Sequence, residues 1–363
     1  MTKKEFEEQI EHLFDENNTY QSFEYGDETE TLTESATKRR KTMKKTGLRL
    51  FDADLVQSEF DREKSDSRRE RVLEVMKDED SWKVLVQITE ETFQRLDKLE
   101  KKFPNFKHVI ERFRNSLTLR ALGKTATVWL PPILLVGPAG VGKTRFLSEL
   151  AQALGIDYFS VDMATASASF VLSGSSSSWS EGKPGFVSNS LRASKVANPL
   201  LLIDEIDKAT SDTRHDPIAC FYSLLEKHTA KTFKDECVDI PMDCSHINWV
   251  ASANYIERIP EPIRSRMEVI EIQPPTQEQM PVIASSTYDE LLEANDWGHR
   301  FIKRLNEDVL NTLTVFTPRE MGKVLEKACA TAAVRSKGTK AKIRVLADDI
   351  ELPKDNSSVR IGF

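Results

Sequence analysis

Two short, continuous apolar runs stand out along the chain: Ile133-Leu134-Leu135-Val136 and Leu200-Leu201-Leu202-Ile203. Runs of this length with no polar alternation predict strands covered on both faces, as in a parallel sheet between helices. A third strand is predicted from Ile247 to Ala253, and a last one from Val269 to Ile272. After the first run the period changes: Phe146, Leu147, Leu150 and Leu154 share one stripe of a helix from Arg145 to Leu154. Upstream, Val84, Val86 and Ile88 alternate as in a short strand. Phe93, Leu96 and Leu99 then line one face of a helix closed by Pro104. Downstream, Tyr288, Leu291, Leu292, Phe301, Leu305, Val309, Leu310, Val324 and Leu325 mark a helical region over about 275–336. Strands alternating with helices, then helices alone, predict an α/β domain followed by an α-helical one.

Composition sharpens the boundaries. The chain has 363 residues with 51 basic and 58 acidic side chains, a formal net charge of −7, and room for two or three domains. The charge is unevenly spread. Residues 1–34 carry eleven acids and two lysines, residues 35–50 carry seven bases and no acid, and seventeen of the thirty residues 51–80 are charged. Such density predicts a flexible charged arm over 1–81. Within it, Phe6, Ile10 and Phe14 share one face of a short helix, Lys3 to Glu16. The basic run Lys38 to Lys45 offers a nucleic-acid contact, although a solvated tail is the favoured reading. The remaining expected divisions are 82–274 for the α/β domain with its helical lead-in, 275–336 for a helical lid and 337–363 for a tail. Cys220, Cys237, Cys244 and Cys329 are scattered without a CxxC pair, so reduced thiols in a cytoplasmic setting are expected. The pairing of Cys237, Cys244 and His246 does not suit zinc. The longest mostly apolar stretch, Val128 to Val136, is too short to cross a bilayer, and MTKKEFEEQIEH lacks a signal-peptide core. A secreted or membrane-spanning class is therefore not expected.

The chemistry concentrates after the first run. Gly137-Pro138-Ala139-Gly140-Val141-Gly142-Lys143-Thr144 is GxxxxGK[ST] between a strand and a helix, the context a phosphate-binding loop requires. Glycines let backbone N–H groups turn toward phosphate oxygens, and the helix amino terminus adds positive potential. Lys143 is placed to reach the β- and γ-phosphates of ATP, and the Thr144 hydroxyl to ligate Mg2+. The second run delivers Asp204 and Glu205 at a strand's carboxyl end: Asp204 is expected to hold Mg2+ and Glu205 to polarise the attacking water. Asp207 and Lys208 continue that turn, as structural or functional residues. The third strand ends in Asn254, an amide placed to orient that water. Arg264 and Arg266 precede the last strand, where an arginine can serve a neighbouring subunit's nucleotide.

Together, GPAGVGKT, LLLIDEIDK, WVASAN and IPEPIRSRMEVIEI resemble the AAA+ ATPases, and in particular the ATPase module of Lon proteases. Ser211 to Pro217, Leu224-Leu225-Glu226, Phe233-Lys-Asp235 and Asp239 to Ser245 continue the resemblance, which covers about residues 103–335. It implies a P-loop NTPase core with a parallel five-stranded sheet between helices, followed by an α-helical lid. It further implies Walker A at Lys143 and Thr144, Walker B at Asp204 and Glu205, and sensor 1 at Asn254. The arginine finger falls on Arg266, with Arg264 the alternative. For sensor 2, Thr317-Pro318-Arg319 favours Arg319, whose guanidinium grips phosphate bidentately; the Lon-like register offers Lys323 instead. Trp179, before Lys183-Pro184-Gly185, occupies the aromatic position of the substrate pore loop. Its aliphatic partner is replaced by Ser180, and serines 175–177 precede it.

About 27 residues follow the lid, too few for a Lon peptidase domain with its Ser–Lys pair. The resemblance thus implies a stand-alone ring ATPase, hexameric in the family, that remodels a protein substrate or serves a separately encoded effector without protease activity of its own. The alternative is an ATP-gated switch or assembly module, in a DNA-linked version through Lys38–Lys45.

Overall fold

The computed structural model describes residues 47–63, 68–164, 171–175, 182–209 and 218–352. The strands are β1 (Gly47–Arg49), β2 (Trp82–Val84), β3 (Ile133–Val136), β4 (Tyr158–Asp162), β5 (Leu200–Asp204), β6 (Phe233–Lys234), β7 (Pro241–Met242), β8 (Asn248–Ala253) and β9 (Glu268–Glu271). The helices are α1 (Ala53–Arg62), α2 (Arg68–Asp78), α3 (Glu90–Lys102), α4 (Lys107–Ala121), α5 (Lys143–Leu154) and α6 (Phe186–Ala193). They continue as α7 (Ala219–Leu224), α8 (Lys227–Ala230), α9 (Glu261–Arg264), α10 (Met280–Glu293), α11 (Glu307–Leu313) and α12 (Pro318–Arg335). The chain divides into two compact units. The first takes in residues up to Leu99, His108–Gly137 and Thr144–Glu271; the second takes in Glu100–Lys107, Pro138–Lys143 and the residues from Ile272 on.

In the first unit, five strands form one parallel sheet in the order β4-β5-β8-β3-β9. Leu134, Leu135 and Leu200 to Ile203 are wholly buried, as their unbroken apolar sequence predicts. Each such side chain stabilises the fold by about 1.5–3 kcal/mol through burial. The order has a consequence for chemistry. β8 enters between β3 and β5, with Val136 opposite Ala253 and Ile203 opposite Ala251. Three strand ends therefore open side by side at one edge, the place where open α/β sheets hold ligands. The opposite ends of these strands are tied by two buried asparagines. Asn248 accepts from Leu130 N at 2.6 Å and donates to Asn198 O at 2.8 Å. Asn198 in turn donates to Val128 O at 2.7 Å and accepts from Val86 N at 3.0 Å.

The arm expected over 1–81 is corrected from residue 47 onward. β1 pairs antiparallel with β2, Leu48 opposite Lys83, and α1 and α2 follow β1. Leu50, Phe51, Val56, Leu73 and Met76 are buried in the same core as the sheet. Asp52 caps α1 by accepting from Asp54 N at 3.0 Å. Arg69 of α2 pairs with Glu59 at 3.0 Å and Glu63 at 2.7 Å. Its hydrogen bond holds the Glu59 carboxyl below its ordinary range. The physical reason is that the charges decorate one face of each helix, while a few apolar residues at helical spacing occupy the other. The helix proposed over Lys3 to Glu16 and the basic run Lys38–Lys45 lie outside the described residues.

The second unit contains the expected helical lid. Tyr288, Leu313, Met321, Leu325, Ala328 and Ala332 of α10 to α12 share one core, and Tyr288 Oη donates to Ile302 O at 3.1 Å. The expected tail from 337 begins as part of this unit: Ile343 bridges Phe301, and Val345 and Ile350 are buried. Asp349, 4% exposed, receives Arg335 Nε at 3.0 Å and Nη2 at 2.7 Å. Burial alone would raise its carboxyl; the Arg335 and Leu346 donors hold it below the usual range. Residues 353–363 lie outside the described residues.

Candidate nucleotide site

The Walker-type residues of the first unit are joined by one carboxylate. Asp204, at the carboxyl end of β5, accepts from Thr144 Oγ1 at 2.8 Å through Oδ2, and from the Ser252 hydroxyl of β8 through Oδ1. Ser252, 1% exposed, also accepts from Glu205 N at 3.2 Å. One buried hydroxyl thus fixes both acidic residues. Glu205 is half-buried and left-handed, with φ 49° and ψ 44°, a conformation that costs a non-glycine residue about 1–3 kcal/mol. Its N–H donates to Asp204 Oδ1 and Ser252 Oγ, and these two bonds hold it there. Asp207, 6% exposed, accepts from Asn254 N at 3.2 Å and ties the turn after β5 to the end of β8. Gly137 N closes onto Ala253 O at 3.1 Å. Asp204, Glu205, Asp207 and Asn254 are therefore brought together as the sequence suggests.

Ser252 is the residue that sequence reasoning passes over. A serine inside a strand carries no signal of its own; the available clue was its place two residues before Asn254. Ser252→Ala is expected to lower turnover about tenfold, the scale of one lost hydrogen bond to a charged group. Threonine at the same position should restore most of it. Steady-state ATPase rates of the two variants check this, equal loss in both being the contrary result.

In the second unit, the loop itself has the geometry its glycines imply. Gly140 and Gly142 adopt φ +85° and +98°, where side chains are strained. Lys143, 8% exposed, donates to Pro138 O at 3.1 Å across the loop. A Cβ at Gly140 would lie 3.4 Å from Arg319 Cβ and 3.7 Å from its Cδ. The Arg319 side chain thus lies against Gly140 of the loop. Its position follows from local chemistry: Thr317 and Glu320 form a capping box, with Thr317 N donating to Glu320 at 2.9 Å and Pro318 in the first turn. That cap fixes where α12 begins and so where Arg319 points.

Residues 133–275 match the family model described as "ATPase family associated with various cellular activities (AAA)". Residues 133–275 are an AAA domain. Among curated relatives, the Lon protease of Mycoplasma mycoides subsp. mycoides is 33% identical over 237 residues, covering 65% of this chain and 29% of that protein. The peroxisomal Lon protease homolog 2 of Arabidopsis thaliana is 34% identical over 205 residues, covering 56% and 23%. The chain thus spans less than a third of the length of these relatives. A chain in the closed-state cryo-EM reconstruction of Hsp104 with ATPγS and FITC casein aligns with TM-score 0.55 at 15% identity, over 68% of this chain and 48% of that one. That likeness shows the shared fold. The matched family is one of ATPases.

The AAA domain's donor set also suits a divalent cation. Thr144 and Asp204 supply hard oxygen donors 2.8 Å apart, and Mg2+ is usually held by one or two such groups together with phosphate oxygens and water. Arg266 is exposed on the strand-preceding turn, bonded to Glu226 and Pro262. Trp179 lies outside the described residues, but its stem does not. Ser175 N donates to Lys183 O at 2.9 Å, Lys183 N donates to Ser175 Oγ at 2.8 Å, and Gly185 N donates to Asp235 at 2.7 Å. Asp235 is wholly buried and also receives Ser188 Oγ, Cys237 N and Val238 N. Beneath the stem helix α6, Lys83 Nζ donates to Leu191 O at 2.7 Å, Arg192 O at 2.5 Å and Ser194 O. Burial pushes that ammonium's pKa down. Of the thiols considered for zinc, Cys237 and Cys244 are buried in the core, and burial pushes Cys244 well up. Among the described residues no helix is long and apolar enough to cross a membrane.

Proposed function

We propose that the chain is the motor module of a ring-forming ATPase that remodels a protein substrate. The observation that carries this reading is the Asp204 carboxylate shared between Thr144 and Ser252, with Glu205 fixed beside it. In this reading Gly137 to Thr144 cradle the phosphates, and Thr144 and Asp204 hold Mg2+, which neutralises phosphate charge when bound. Glu205 takes the proton of the attacking water and Asn254 orients that water. Arg319 senses the phosphates from the lid. Arg266, exposed and outside this constellation in sequence, serves the nucleotide of the next copy, so the active assembly is a homo-oligomeric ring, hexameric as in the resembling family. A reducing, cytoplasmic setting is supported by four free cysteines.

Support for a polypeptide substrate comes from the pinned stem on either side of Trp179. The chain is held on both sides of it, at Ser175 and Lys183 and through Gly185 at Asp235, and functional residues are often carried on segments set on such a rigid base. Trp179→Ala is expected to keep basal ATP hydrolysis within about twofold and to lose unfolding of a tailed fluorescent reporter almost entirely. Unfolding at the parent rate in the variant would refute threading and favour an ATP-gated switch.

A further inference from the structure

The guanidinium of Arg266 is held, although it is on the surface. Its Nε donates to Glu226 Oε1 at 2.9 Å, and its Nη1 donates to Pro262 O at 2.9 Å. Both acceptors sit on well-anchored chain. Glu226 follows α7, whose Phe221 and Leu224 are buried, and Pro262 lies in α9 beside buried Ile263. By contrast, Arg264 makes no side-chain hydrogen bond among the described residues. The two arginines that the sequence leaves as alternatives are therefore physically different: one is pre-set and the other is not.

An exposed ion pair contributes little to stability. Glu226 and Arg266 have side chains 54% and 35% exposed, so their contact is weakly placed to hold the fold. Its geometric effect is larger. Arginine presents five N–H donors in a planar fork, and here Nε and one hydrogen of Nη1 are taken. The Nη2 edge, unbonded among the described residues, is left in a fixed plane. That arrangement suits a bidentate grip on a phosphate.

We infer that Glu226 is a positioning residue: it pre-sets Arg266 to meet the nucleotide phosphates of a second copy of this chain. This rests on the reading of Arg266 as a residue acting in trans. In this inference Glu226 acts only through the arginine. Without it the long side chain returns to its many rotamers, and the productive one is populated for a small fraction of the time.

The test uses the full chain in its assembled form and measures kcat and KM for ATP separately. Glu226→Ala should lower kcat about tenfold with KM within about twofold. Glu226→Gln, whose amide oxygen still accepts from Nε, should recover most of the rate. Glu226→Asp, charged but one methylene short, should resemble alanine. Equal losses in alanine and glutamine variants, or an unchanged kcat in the alanine variant, would overturn the inference. Combining Glu226→Ala with Arg266→Ala should add nothing to the arginine variant alone; an additive further loss also counts against it. The two claims fail separately. If Arg266→Ala leaves turnover intact, the trans reading falls. If it abolishes turnover while Glu226→Ala does not reduce it, only the positioning role falls.

Discussion

Glu205→Gln should bind ATP and assemble normally while hydrolysing it about 10²–10⁴ times more slowly, the usual contribution of a positioned general base. The replacement is nearly isosteric, so the left-handed backbone at φ 49° and its N–H bonds to Asp204 and Ser252 stay intact. What is removed is the ability to accept a proton from water. Binding of a fluorescent ATP analogue, measured beside phosphate release, separates the two effects. Turnover within a few-fold of the parent protein would show that another group is the base. An effect on binding alone would place Glu205 in nucleotide affinity instead.

Arg266→Ala has a comparably large expected effect. An arginine supplied to a transferring phosphoryl group is worth about 10³–10⁵ in rate, so hydrolysis should fall to near background with ATP binding retained. The decisive form of the experiment mixes two inactive variants. Protomers carrying Glu205→Gln still offer Arg266, and protomers carrying Arg266→Ala still offer Glu205. Interfaces between them contain one intact pair in one direction. Mixed assemblies should therefore regain a measurable fraction of the parent rate. If mixing restores nothing, although mixed rings form, Arg266 does not act across subunits.

The legible parts of this protein share a property: each is specified by residues adjacent in sequence. β3 and β5 were readable because strands covered on both faces need unbroken apolar runs, and Ile133–Val136 and Leu200–Ile203 supply them. The loop from Gly137 to Thr144 was readable because its turns need glycine, and Gly140 and Gly142 indeed have positive φ. Residues 47–80 were not, because abundant charge outweighs the few apolar positions in any window average. Only docking against the sheet shows that Val56, Leu73 and Met76 are core residues. That Arg319 lies against Gly140 likewise needed the tertiary structure, since the two are far apart in sequence.

By itself, then, the sequence pointed to the class of chemistry: a loop of phosphate-binding pattern, a pair of carboxylates after an apolar strand, and an AAA-like order of motifs. The tertiary structure decided how those groups are held. Thr144 meets Asp204 across 60 residues, Ser252 meets Asp204 across 48, and Arg266 meets Glu226 across 40. Such partners are invisible to local pattern because their adjacency is set by strand order, with β8 between β3 and β5. A hydrogen bond about 3 Å long needs both groups placed to a fraction of an ångström. That placement comes from the packed sheet and its flanking helices, not from the motif.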